Sequence, residues 1–171
     1  MDAHSDLPEQ FERWYPAVFR YFRLRGADAD TANDLASAAF ERALANLKRF
    51  DPRKGSFAAW IFAIARNLAA NQWASAASRT TLLRDDLPSA GPPPELSLIQ
   101  AQDRQELLQA LAALDDRERE LLAFKFASRF TNRQIAALSG LSESNVGVIL
   151  YRALQRLRAH LSRQAEEVLD E

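Results

Sequence analysis

Residues 131–161 read TNRQIAALSGLSESNVGVILYRALQRLRAHL. Thr131 is a good helix N-cap, and Gln134 three positions on completes the spacing of a capping box. Ile135, Ala136 and Leu138 share one face, where the small Ala136 lets a second helix cross closely. Gly140 supplies the positive φ that the chain needs to leave the first helix. Leu141 plugs the turn and Ser142 caps the next helix, along which Val146, Ile149, Leu150, Ala153, Leu154, Leu157 and Leu161 recur at helical spacing. A short helix, a Gly turn and a longer amphipathic helix make a helix-turn-helix, whose second helix enters the major groove by its N-terminal end. An ordinary helical hairpin shares this pattern, so the rest of the chain has to decide.

Charge separates the two readings. Between residues 121 and 165 stand Lys125, Arg129, Arg133, Arg152, Arg156, Arg158 and Arg163 against Glu143 alone, a net of +6 in a chain whose total is −1. Glu166, Glu167, Asp170 and Glu171 follow as an acidic tail. A basic island around a helix-turn-helix favours nucleic acid. Ser142, Glu143, Ser144, Asn145, Val148, Tyr151 and Arg152 fall on the outward side of the second helix. Asn145 can read adenine bidentately, and Arg152 reaches a guanine or a phosphate. Lys125, Arg129, Arg133 and Arg156 suit the DNA backbone, which positions a protein without specifying sequence.

The 171 residues, 47% apolar with only five Gly and abundant Leu and Ala, predict an all-α chain. A first helical stripe runs through Leu7, Phe11, Trp14, Tyr15, Val18, Phe19 and Phe22, with Pro16 expected to kink it or start a new helix. Asp28 or Asp30 caps a second helix with Leu35, Ala36, Ala39, Phe40, Ala43, Leu44 and Leu47 inward. After the loop 50–55, Ser56 caps a third helix, Phe57 to about Ser75, apolar nearly all round at first and so expected to be buried. Its polar residues are grouped at Arg66, Asn67, Asn71 and Gln72. Residues 80–95, with four Pro and three acids in LLRDDLPSAGPPPE, read as a flexible Pro-rich linker. Leu96, Ile99, Leu107, Leu111 and Leu114 then mark a further helix. Asp115 and Glu118 make a capping box for the helix of Leu121, Leu122 and Phe126. The expected layout is two small helical domains, 7–79 and 96–165, joined by the linker 80–95 and followed by a tail at 166–171.

Enzyme chemistry finds little support. His4 and His160 are isolated, Cys is absent, and no Gly-rich phosphate loop or nucleophile elbow occurs. The sequence therefore predicts no enzyme, no metal and no cofactor. The longest apolar run, Phe57 to Ala65, is too short to span a bilayer, and the N-terminus has no signal-peptide pattern. Without disulfides or a leader, a cytoplasmic location is expected. The first domain offers a second binding surface. Arg53 and Lys54 flank the loop, and Phe57, Trp60, Arg66, Asn67, Asn71 and Trp73 lie on or near the following helix; aromatics, amides and a few cations suit unstacked single-stranded bases.

With both halves laid out, the chain resembles a bacterial sigma factor of the extracytoplasmic-function group of the sigma-70 family. WYPAVFRYFR (14–23), NDLASAAFERAL (33–44) and FDPRKGSFAAWIFAIARNLA (50–69) resemble sigma domain 2. LDDRERELLAFKF (114–126) and NVGVILYRALQRLR (145–158) resemble sigma domain 4. The resemblance implies that Asp34, Leu35 and Phe40 press on the clamp of core RNA polymerase. It implies that Lys54, Ser56, Phe57, Trp60, Arg66, Asn67 and Asn71 open and read the −10 element. It implies that Lys125, Arg133, Ser144, Asn145, Tyr151 and Arg152 read the −35 element. Core polymerase, promoter DNA in duplex and single-stranded form, and an anti-sigma factor are the implied partners, with no membrane insertion and no small-molecule substrate. Two other readings stand beside this one. Uncharged residues at 74–77 and 147–149, where relatives are often basic, suit a mimic that occupies an anti-sigma factor without initiating transcription. A free-standing repressor also uses a helix-turn-helix.

Overall fold

The computed structural model describes residues 7–79 and 105–169. The linker 80–95, the positions of Leu96 and Ile99, and the side chains of the acidic tail lie outside the described residues. The elements are α1 (Leu7–Leu24), α2 (Ala29–Ala45), a single 3-10 turn (Leu47–Arg49), α3 (Phe57–Arg79), α4 (helical over 105–112), α5 (Asp116–Ser128), α6 (Asn132–Ser139) and α7 (Glu143–Leu169). Among the described residues there is no strand, and no helix is long and apolar enough to cross a membrane.

Helices α1, α2 and α3 form the first bundle. Helix α1 runs through Pro16 as one element, so Pro16 does not start a new helix. Pro16 is on the exposed side, while Ala17, Val18, Tyr21 and Phe22 are buried, so packing of the opposite face outweighs one missing backbone bond. Gly26, at φ 102°, turns the chain. Asp28 rather than Asp30 caps α2, accepting the Thr31 N–H at 2.7 Å. Ala32, Ala36, Ala39 and Ala43 are fully buried along α2, so α1 and α3 approach its backbone closely. Ile61, Phe62, Ala65 and Ala69 bury α3 between its neighbours, as its apolar start requires.

The second bundle is built on local capping. Glu118 donates its N–H to Asp115 Oδ1 at 2.8 Å, and Glu118 Oε2 accepts the Asp115 N–H at 3.2 Å, which starts α5 as expected. Arg119 then ties α4 to α5, donating to the carbonyls of Leu111 at 3.1 Å and Leu114 at 2.9 Å. Burial pushes its guanidinium below the ordinary arginine range. The inward assignment of Leu44 is corrected, since it is 61% exposed; on α5, Phe126 is 54% exposed while Phe124 is completely buried. Phe124 lies three positions from Leu121 and shares its face, whereas Phe126 lies five positions on, well round the helix. Leu154 is also corrected to exposed, on the outer flank of α7.

The bundles meet along α1, α3, α5 and α6 and share one hydrophobic core. The Tyr21 ring stacks on Phe124 with centroids 5.1 Å apart, and Phe62 meets Phe124 at 6.3 Å and Phe130 at 5.2 Å. All four rings are buried.

Candidate nucleic-acid interface

The helix-turn-helix is assembled by the residues that the sequence marks out. Gln134 donates its N–H to Thr131 Oγ1 at 3.2 Å and returns Oε1 to the Thr131 N–H at 2.9 Å. Gly140 ends α6 at φ 74°, and its N–H reaches the Ala136 carbonyl at 2.9 Å. Ser142 Oγ accepts the Asn145 N–H at 3.2 Å and starts α7. Ile135, Val146, Leu150 and Ala153 are buried between α5, α6 and α7 and set the angle of the second helix. Gly147 sits where α7 passes α6, and a Cβ added there would stand 3.5 Å from Asn132 Nδ2.

This packing leaves Ser142, Ser144, Asn145, Val148, Tyr151 and Arg152 exposed on the first two turns and just beyond. Arg129 and Arg133 are also exposed, and Arg129 closes α5 in the left-handed region at φ 58°. Two predicted backbone contacts are already engaged. Lys125 Nζ donates to Asn132 Oδ1 at 3.0 Å, and Arg156 Nη1 donates to Glu118 Oε2 at 3.0 Å. Glu118 is buried, so the Arg156 pair offsets the desolvation of its carboxylate as well as placing the guanidinium.

On the first bundle, Asp51 organises the loop. Its carboxylate accepts the Arg53 backbone N–H at 3.0 Å and Arg53 Nε at 3.1 Å, and these donors hold its pKa below the usual carboxylate range. Ser56 Oγ accepts the Ala59 N–H at 3.2 Å and caps α3. Phe57 and Trp60 are half-buried in a ring cluster with Phe50, at centroid distances between 5.1 and 5.8 Å. A cleft opens beside this cluster, bordered by Arg49, Lys54 and Gly55. A second adjoins it, walled by Arg42, Asn46 and Arg49 on one side and Trp60, Ile64 and Asn67 on the other. The sequence reading missed Arg42, Asn46 and Arg49. Their spacing of four and three marks one face, but only the packing of α2 on α3 aims that face at Trp60.

The structure therefore brings Lys54, Ser56, Phe57, Trp60 and Asn67 together. Arg66 and Trp73 point toward the second bundle instead. Arg66 Nε donates to Glu120 Oε1 at 3.0 Å, and the guanidinium of Arg25 lies 5.2 Å from the Trp73 ring centroid. Asn71 is exposed one turn beyond Asn67. Of the three residues expected to face polymerase, Asp34 is exposed and Leu35 half-buried. Phe40 is buried against Phe11 at 4.7 Å and Tyr15 at 5.7 Å, where it holds α1 to α2.

A helix-turn-helix and a separate aromatic and amide cleft on one small helical chain define a DNA-reading transcription protein. Residues 10–79 match sigma-70 region 2, and residues 104–157 match sigma-70 region 4. The chain is 30% identical to the ECF RNA polymerase sigma factor ShbA of Streptomyces griseus, covering 85% of this chain and 82% of that one. It is 29% identical to BldN of Streptomyces coelicolor over 91% of its own length but only 59% of BldN, and 29% identical to RpoE of Cereibacter sphaeroides over 90% and 85%. Its fold is similar to that of the Bartonella quintana sigma factor RpoE, solved with the anti-sigma factor NepR, at a TM-score of 0.74 and 22% identity over 92% and 97% of the two chains. CnrH, solved with the cytosolic domain of CnrY, gives a TM-score of 0.69 at 22% identity over 94% and 90%. The chain belongs to the ECF group of sigma-70 family RNA polymerase sigma factors.

Proposed function

We propose that this chain is a promoter-specificity subunit that binds core RNA polymerase and directs initiation at promoters with −10 and −35 elements. The observation that carries this is the exposed face of α7, where Asn145 and Arg152 stand over a basic island held rigidly by α5 and α6. Asn145 and Arg152 read bases in the −35 element, and Val148, 44% exposed between them, suits a thymine methyl. Arg129 and Arg133 anchor backbone phosphates. The clefts around Trp60 receive unstacked bases of the −10 element, with Lys54 and Arg49 at their rim and Asn67 supplying amide donors and acceptors. Capture of extruded bases there offsets the unstacking that strand opening requires. Asp34 and Leu35 offer the outer face of α2 to polymerase, with Phe40 as its buried support. The chain itself makes and breaks no bond in this reading.

Run-off transcription with core polymerase on genomic templates tests it. Asn145→Ala is expected to reduce initiation about tenfold at promoters it reads, with core polymerase affinity unchanged. If purified protein supports no promoter-dependent initiation on any template, the reading fails. The pairing of Arg66 with Glu120 favours one other reading, a mimic that engages an anti-sigma factor and never presents its −10 surface. A pull-down with core polymerase separates them, since a mimic binds the anti-sigma factor and leaves polymerase behind.

A further inference from the structure

The head of α7 is almost empty of positive charge. From Glu143 to Tyr151 its only charged side chain is Glu143, and Arg152 is its first cation. A recognition helix in a major groove lies between two phosphate backbones, which cations at the rim hold in register. The packing of α5, α6 and α7 brings one such cation from another element. Lys125 lies in the last turn of α5 and is half-buried. Its Nζ donates to Oδ1 of Asn132, the first residue of α6, at 3.0 Å. Asn132 is held from both sides, by the buried Phe130 before it and by the Thr131 capping box that starts α6. The other end of its carboxamide faces α7. A Cβ added to Gly147 would stand 3.5 Å from Asn132 Nδ2, and among the described residues no other group outside α7 comes within 4 Å of that position. Asn132 thus spans from the ammonium to the bare side of α7.

A neutral acceptor suits this place. Among the described residues no carboxylate lies within ion-pair distance of Lys125, whereas Arg156 is tied to Glu118. An amide oxygen takes one of the three ammonium donors and cancels none of the charge, so two donors remain for a phosphate. Holding the flexible lysine stem in advance also lowers the ordering cost of that contact.

We propose that Asn132 is a positioning residue: it holds the Lys125 ammonium alongside the head of α7, so that α5 supplies to the DNA backbone the cation that α7 lacks around Gly147. The proposal rests on the assignment of α7 to the −35 element.

The test titrates a short fluorescein-labelled DNA duplex of mixed sequence with the full chain, at salt concentrations from about 50 to 200 mM, where the slope of affinity against salt counts phosphate contacts. K125Q is expected to reduce that slope by about one counterion. N132A should weaken binding about two- to tenfold when Lys125 is present and hardly at all in K125Q, because the two side chains act through one contact. A merely structural defect of N132A would persist in the K125Q background. Gly147 has no positive φ and room for a side chain, so G147K should return the lost slope to K125Q by placing a cation on α7 itself. Wild-type affinity in N132A overturns the proposal, as do losses from N132A and K125Q that simply add, or a slope that G147K leaves one short. A steep wild-type slope unchanged by K125Q overturns it too, while the assignment of α7 stands. If the wild type shows no salt-dependent binding to the duplex, that assignment falls together with the proposal.

Discussion

Tyr21 concentrates the consequences of burial in one side chain. Its ring is packed between Phe22, Phe62 and Phe124, and its hydroxyl is buried with no hydrogen-bond partner among the described residues. A buried polar group without a partner costs on the order of 1–3 kcal/mol. Tyr21→Phe is therefore expected to leave stability unchanged or raise it by about 1 kcal/mol, measured by urea unfolding. Burial also raises the Tyr21 phenol well above its ordinary value. The proton is held more tightly in the folded state, so this contribution is complete below the unfolded phenol pKa near 10 and declines as pH rises beyond it. Tyr21→Phe should remove that alkaline decline, and identical pH profiles for the two proteins above about pH 10 would refute the assignment. The sequence pattern does not single out Tyr21 or Arg25. The apolar stripe through Trp14, Val18 and Phe22 accounts for α1 as the wall of one bundle. Tyr21 and Arg25 lie on the side that meets α5, and periodicity within one helix does not announce a second burial partner in a distant part of the chain.

Among the elements, helix ends were the most legible feature. The caps at Ser56, Asp115, Thr131 and Ser142 and the Gly140 turn all follow from residue type and spacing, because a cap is satisfied within three or four residues. The faces were less legible. Phe124 and Phe126 are equally apolar; Phe124 shares the face of Leu121 and Phe126 that of Leu122, and the packing of α1 on α5 buries the first of these faces. The Asp28 cap on α2 gives a direct test. Asp28→Ala should cost about 1 kcal/mol, and Asp28→Asn much less, since the amide oxygen still accepts the Thr31 N–H. That hydrogen bond lowers the Asp28 pKa. The carboxylate's contribution is thus complete above the unfolded Asp value near 3.9 and is lost as pH falls through the lower folded value. Acid titration of stability should show this loss in the wild type and not in Asp28→Asn.

At the scale of the whole molecule, the two helical bundles close over a common aromatic core. Trp14, Trp60 and Trp73 all lie on helices of the first bundle, so tryptophan fluorescence follows mainly the unfolding of that bundle. Phe124 belongs to the second. Phe124→Ala should cost about 3–5 kcal/mol and lower the urea midpoint read from tryptophan, because Tyr21 and Phe62 lose the ring they pack on. An unaltered tryptophan midpoint would mean that the bundles unfold independently. The four alanines buried along α2 carry a different lesson. Their methyl groups set how near α2 lies to α3, and that separation is the width of the cleft between Asn46 and Trp60. On the proposed reading of this cleft, promoter preference drifts through positions that never meet a base. A lineage that enlarges one of these alanines re-gauges the groove from behind, while every side chain lining it remains the same.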